Sequence, residues 1–196
     1  MRIVMAMLVL AIAPLVSATP TLTPSQRVQI EQGEVVVQLL KPTDDSGVAA
    51  RAIAVIKAPP KDVWPVLRDC QHYKDFMPRT QASEVRSRVG HMQICYTKVD
   101  MPFPFSDLWA EVKSVEKIGD DGSFARRWSL IKGTYRRNNG SWTVRPWGSG
   151  GDHSLIVYQV DLDPETNVPD FIIRKAQTST LPDVFDAIRK RVRTVR

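Results

Sequence analysis

Ser154-Leu155-Ile156-Val157-Tyr158-Gln159-Val160-Asp161-Leu162 reads as a β-strand, and a change of period follows it. Beyond that run, Ile173, Ala176, Thr180, Val184, Ile188 and Val192 recur at steps of three and four, the spacing of one helical face. Thr180-Leu181-Pro182-Asp183 resembles a capping box with a proline inside it, so this long terminal helix is expected to bend or restart there. Working back from Ser154, β-prone runs lie at Ser141–Trp147, Ser123–Ile131, Ser106–Ile118, His91–Val99 and Gln81–Val89. Their joints carry turn chemistry: Gly148–Gly151, Asn138-Asn139-Gly140, Gly119-Asp120-Asp121-Gly122 and Val89-Gly90-His91. Glycine-containing loops of that length predict antiparallel hairpins.

Upstream of the hairpins, Ala58-Pro59-Pro60-Lys61-Asp62 opens a helix whose apolar stripe is Val63, Trp64 and Leu67. Pro65 should kink or shorten it, and it should stop by Cys70. His72–Met77 adds one further turn, closed by Pro78. Val35–Leu40 and Val48–Ile56 read as strands, and Gln26–Gln32 as a short helix stopped by Gly33. The order is strands, helices, several hairpins, then one long helix. It predicts an α+β fold in which a curved antiparallel sheet wraps a helix.

The amino terminus has a different character. Ile3–Val16 is almost continuously apolar, follows Arg2 and exits through Val16-Ser17-Ala18. A positive start, an apolar core and a small-x-small exit describe a secretory signal peptide, with cleavage near Ala18. Interrupted by Pro14, the run falls short of the about 20 residues that a spanning helix needs. The expected division is residues 1–18 as signal peptide, 19–32 as lead-in and short helix, and 33–196 as one folded domain. Export to the periplasm or beyond follows from it. In the 196 residues, 43% are hydrophobic and 24% charged, which excludes a largely disordered chain and a disulfide-dense mini-protein. A net charge of +6 permits contact with anionic lipid headgroups but falls short of a nucleic-acid footprint, so no nucleic-acid partner is expected. The basic residues are densest at Arg189, Lys190, Arg191, Arg193 and Arg196, where they complement a helix C-terminus.

Four stretches carry a resemblance. Ala58-Pro59-Pro60-Lys61-Asp62-Val63-Trp64 and Tyr73-Lys74-Asp75-Phe76-Met77-Pro78 resemble the opening of START-like proteins. These belong to the polyketide cyclase/dehydrase and lipid-transport superfamily (SRPBCC, Bet v 1-like, helix-grip). Gly140-Ser141-Trp142 is similar to a recurrent strand start there. Tyr158–Pro164 followed by Val168–Ile173 looks like the last strand and the entry to the terminal helix. The resemblance covers roughly residues 33–195 and implies a sheet gripping a long helix, with a lipophilic cavity between them. One departure is visible: related sequences often carry an arginine early in the strand after the proline-rich loop, where this chain has Asp107-Leu108. The same fold hosts carriers, cyclases and ligand stores, so the activity must be argued from the site.

Tyr96, Trp109, Trp128, Trp142 and Tyr158 each fall within a predicted strand, and such amphipathic rings suit an apolar pocket with polar handles as well as an ordinary core. Met101-Pro102-Phe103-Pro104-Phe105 is a stiffened loop displaying Met101, Phe103 and Phe105. It suits a gate, a membrane contact or a structural plug. As a membrane device it would act together with the basic end of the terminal helix, provided both lie on one side. His72, His91 and His153 are scattered without ligand spacing, and no metal or cofactor is expected. Glu111 and Lys113 share a strand face with Trp109; if that face is inward, Glu111 is a base candidate, and otherwise it is solvated. Cys70 and Cys95 are the two cysteines, suited either to a disulfide in an oxidising compartment or to buried thiols.

The leading expectation is a monomeric, non-enzymatic carrier of one lipophilic molecule, such as a lipid, sterol or quinone-like compound. The alternative is a polyketide cyclase or aromatase-type enzyme using Glu111 with Tyr96 or His91 in the same cavity. A pocket smaller than roughly 300 Å³ would favour a third class, a module whose interior is filled by its own side chains.

Overall fold

The computed structural model describes residues 20–165 and 170–195, without the side chains of 170–178. The expected signal peptide lies outside the described residues, as do Arg196 and the side chains of Ile173 and Ala176. Helix α1 (Pro24–Glu31) begins where Thr23 and Gln26 form a reciprocal capping box, with Pro24 as its first residue. It starts two residues before the sequence-based expectation. Its buried Ile30 packs on the convex face of the sheet against Ile53, Val55 and Leu155.

The strands are β1 (Val36–Leu40), β2 (Val48–Ile56), β3 (Thr80–Val89), β4 (Met92–Val99), β5 (Leu108–Ile118), β6 (Phe124–Gly133), β7 (Tyr135–Trp147) and β8 (His153–Pro164). They form one antiparallel eight-stranded sheet in the order β1-β2-β8-β7-β6-β5-β4-β3. Between β2 and β3 lie α2 (Pro60–Arg68), a single 3₁₀ turn (Cys70–His72) and α3 (Tyr73–Phe76). Helix α4 (Asp170–Val195) closes the chain. The architecture is the expected α+β helix-grip, with α2 and α4 held inside the curve of the sheet.

Alternation along each strand decides what faces the helices. Ala50, Ala52, Ala54 and Ile56 of β2 join Trp142, Val144, Ile156 and Val160 on the concave face. There they meet Val63, Trp64 and Leu67 of α2 and Leu181, Phe185, Ile188 and Val192 of α4. The Trp64 ring stacks on Phe124 with centroids 5.3 Å apart.

Two expectations about local structure are corrected. Helix α4 does not restart at Pro182 but continues through it, with buried Leu181 and Phe185 anchoring the turn on either side. Asn138-Asn139-Gly140 is not a hairpin turn but the middle of β7, which begins at Tyr135. Asn138 is there to accept the Trp128 indole N–H at 3.0 Å, and Gly140 to let that ring lie on the backbone. The change of direction falls instead at Gly133 and Thr134, where the Thr134 N–H and hydroxyl both bond the Trp109 carbonyl.

Candidate functional site

The concave face does not close fully on α4. Between them lies a cavity of about 300 Å³, lined mainly by Val112, Trp128, Trp142, Tyr158, Leu162 and Leu181. One end is bounded by Val99, Asp100, Met101, Leu108 and Pro164, the other by Tyr73, Arg126 and Trp142. Cross-strand register explains why the rings meet. Trp142 pairs Tyr158 across β7 and β8, and their centroids are 4.4 Å apart. Trp128, from β6, also stacks on Tyr158, with centroids 5.9 Å apart. The three rings form a rigid wall with modest loss of side-chain freedom on binding.

Polar groups are few. Trp128 spends its N–H on Asn138. Burial pushes the Tyr135 phenol up to about 12 and the Tyr158 phenol higher still, so both remain neutral donors. Neither makes a hydrogen bond among the described residues. At the inner end the Tyr73 hydroxyl donates to the Leu67 carbonyl, and burial raises that phenol too, against the opposing effect of Arg126. Arg126 is 3% exposed and donates from Nη1 to the Leu67 carbonyl at 3.1 Å and to the Tyr73 hydroxyl at 3.3 Å.

Of the five rings expected in a pocket, the structure brings Trp128, Trp142 and Tyr158 together at the cavity. Tyr96 and Trp109 lie elsewhere. They share the opposite parity to the inward Cys95, Thr97, Leu108 and Ala110, and pack on each other on the convex face, 5.9 Å apart. The Arg86 guanidinium covers Tyr96 there at 4.9 Å. Glu111 occupies the same face, between Arg86 and Lys132 at 3.5 Å each. The alternation itself carried this signal: Glu111 and Lys113 mark the solvent side of β5, and Trp109 shares it. His91 is exposed at the β3–β4 turn, so the acid/base set of Glu111 with Tyr96 or His91 does not meet in the cavity. His72 and His153 are each paired to a neighbouring aspartate, Asp69 and Asp152, at 2.8 Å. No cluster with metal-ligand geometry occurs among the described residues. Tyr135, Asn138 and Arg126 are site residues that sequence reasoning did not single out; parity with Trp128 would have placed Arg126 inside.

Met101, Phe103 and Phe105 separate by role. Met101 lines the cavity and, with Phe105, packs on buried Val48. Phe103 is 97% exposed. A Lys98–Asp107 ion pair of 2.9 Å clamps the loop's base, and its hydrogen bond holds the Asp107 carboxyl below the usual carboxylate range. The basic end of α4 is not beside this loop. Arg189 donates to the Val55 carbonyl, seven residues along β2 from Val48, about 23 Å at about 3.3 Å per residue. The two elements expected to act together on a membrane therefore sit at opposite ends of β2.

Cys70 of the 3₁₀ turn and Cys95 of β4 form a disulfide with Cα atoms 6.2 Å apart. Cys95 also lines the cavity, so the bridge ties the α2–α3 connection to the cavity wall.

An open antiparallel sheet gripping a long helix over an aromatic cavity defines a hydrophobic ligand-binding fold. The profile of the polyketide cyclase/dehydrase and lipid transport family matches residues 56–189, and the chain belongs to that family. Among solved structures, it is similar to the STAR-related lipid transfer protein of Xanthomonas axonopodis. That pair is 22% identical over 81% of this chain and 93% of that one, with a TM-score of 0.72. Human StAR-related lipid transfer protein 5 gives a TM-score of 0.70 at 13% identity, covering 83% of each chain. The Zhui aromatase/cyclase of a Streptomyces species gives 0.57 at 16% identity, over 76% of this chain and 95% of that one. At these identities the likeness is one of fold. No curated protein sequence matches the chain.

Proposed function

We propose that this protein is an exported carrier that shelters one lipophilic molecule between its sheet and α4. The observation that carries the reading is the cavity of about 300 Å³, walled by three packed rings and by aliphatic side chains. That size lies at the small end of ligand sites and suits a single compact molecule. The membership of a family named for both cyclases and lipid transport supports hydrophobic ligand binding in general. Transfer is favoured over cyclisation because the acid/base candidates Glu111 and His91 stand outside the cavity. Export is supported by the amino-terminal apolar run and by the Cys70–Cys95 bridge, since disulfides persist in oxidising compartments.

The surface of a membrane is the donor or acceptor. Phe103, exposed at the tip of the loop whose Met101 lines the cavity, is the membrane contact, and Met101 with Phe105 forms the gate behind it. The test is uptake of a fluorescent lipophile from vesicles by the wild type and by Val184→Trp, which fills the cavity from α4. Uptake by the wild type and at least a tenfold loss in the variant are expected. Equal uptake by both would remove the cavity from the account.

A further inference from the structure

Arg126, at the inner end of the cavity, holds a position that the packing alone does not explain. It is 3% exposed and lines the cavity wall. Its Nη1 is used by the Leu67 carbonyl and the Tyr73 hydroxyl. Its Nε is buried without a hydrogen-bond partner, and Nη2 makes no hydrogen bond among the described residues. The cross-strand neighbour Glu116, 6% exposed, gives Oε2 to Arg68 at 3.1 Å. Tyr73, the other titratable group in contact, is already engaged with Leu67. A guanidinium keeps its charge when buried, and the nearby Glu116 carboxylate is engaged by Arg68, so two buried or half-buried guanidinium charges share one carboxylate and a further anion belongs beside Arg126.

We propose that the Nε–Nη2 edge of Arg126 anchors the carboxylate of a single-chain lipophile, a deepening that rests on the carrier reading above. Two adjacent N–H donors in one plane match the two oxygens of a carboxylate. Arg126 lies in the register row of Trp142 and Tyr158, while the Met101 end of the cavity lies in the row of Leu162 and Val48. Four residues of β8 separate these rows, about 13 Å at about 3.3 Å per residue. The headgroup is therefore innermost, and one apolar tail runs past the Trp128, Trp142 and Tyr158 rings towards the Met101–Phe105 loop.

The experiment compares dodecanoate, methyl dodecanoate and dodecanol, three probes with one tail length and different heads, by calorimetric titration of the folded protein at pH 8. The wild type should bind dodecanoate at least tenfold more tightly than the ester or the alcohol. Arg126→Gln should lose that preference and keep the ester affinity, while Arg126→Lys should retain part of it. The comparison of probes on the wild type stands even where Arg126→Gln fails to fold. Equal wild-type affinity for acid and ester would overturn the headgroup assignment and leave the carrier reading intact. Binding of none of the three would overturn both.

Discussion

At Gly140 there is no room for a side chain: an added Cβ would lie 2.2 Å from Trp128 Cζ2 and 2.5 Å from the Gln159 carbonyl oxygen. A displaced ring relieves only the first clash; the second requires the backbone of β7 or β8 to shift as well. Gly140→Ala should cost about 1–3 kcal/mol through overpacking and shift the tryptophan emission, as chemical denaturation and fluorescence would show. At this scale the sequence was partly legible. Gly140-Ser141-Trp142 stood out from the start, but as a turn followed by a strand, because Asn138-Asn139-Gly140 carries ordinary turn composition. Only the Trp128 ring, reaching over from the next strand, reveals that asparagine and glycine serve packing there. Tyr96 and Trp109 needed nothing beyond strand parity to be placed outside. Arg126 was hidden because Arg126-Arg127 reads as surface charge until the inward face of β6 is known.

Among elements, the Met101–Phe105 loop has two halves with different consequences. Phe103→Ser should change stability by less than about 0.5 kcal/mol, since its ring is 97% exposed, while weakening vesicle binding. Phe105→Ser should cost about 1–2 kcal/mol, because that ring packs with Met101 on Val48. Urea unfolding of the two single variants checks the contrast; equal losses would show one packed plug. The disulfide closes the loop between the 3₁₀ turn and β4, and replacing both cysteines by serine should cost about 3 kcal/mol. At the carboxyl end of β8, Arg136 holds Asp163 with bonds of 3.0 and 2.8 Å, and Ser46 adds a third. These hydrogen bonds, Arg136 first, depress the Asp163 carboxyl below its ordinary value. Its contribution is thus complete above the unfolded pKa and is lost as pH falls below about 4 and through the folded value. The melting temperature should drop across that range, and Asp163→Asn should flatten the drop. Element types and order were legible because alternation and helical spacing are strong over long segments. The long reach of β7 and the continuation of α4 past Pro182 were not, since tertiary packing overrides local turn and breaker signals.

Over the whole molecule, the sheet curves around α2 and α4 but leaves the space beside the three rings unfilled. A lipophile that covers these rings would remove apolar surface from water and would bind only the folded state. That is why a bound lipophile should stabilise the fold. A ligand at one hundred times its dissociation constant adds about 2.7 kcal/mol. The fold class could be read from the order of elements, whereas the cavity was expected only from the family resemblance, because no spacing in a sequence reports how completely α4 fills the curve of the sheet. The separation of the exposed loop from the basic end of α4 likewise appears only in three dimensions. The most direct measurement is native mass spectrometry of the protein purified from its own host, with and without exposure to lipid vesicles. The account predicts one lipophilic molecule per chain, absent when Val184→Trp fills the cavity. Repeated recovery of empty protein that takes up nothing from vesicles would contradict it.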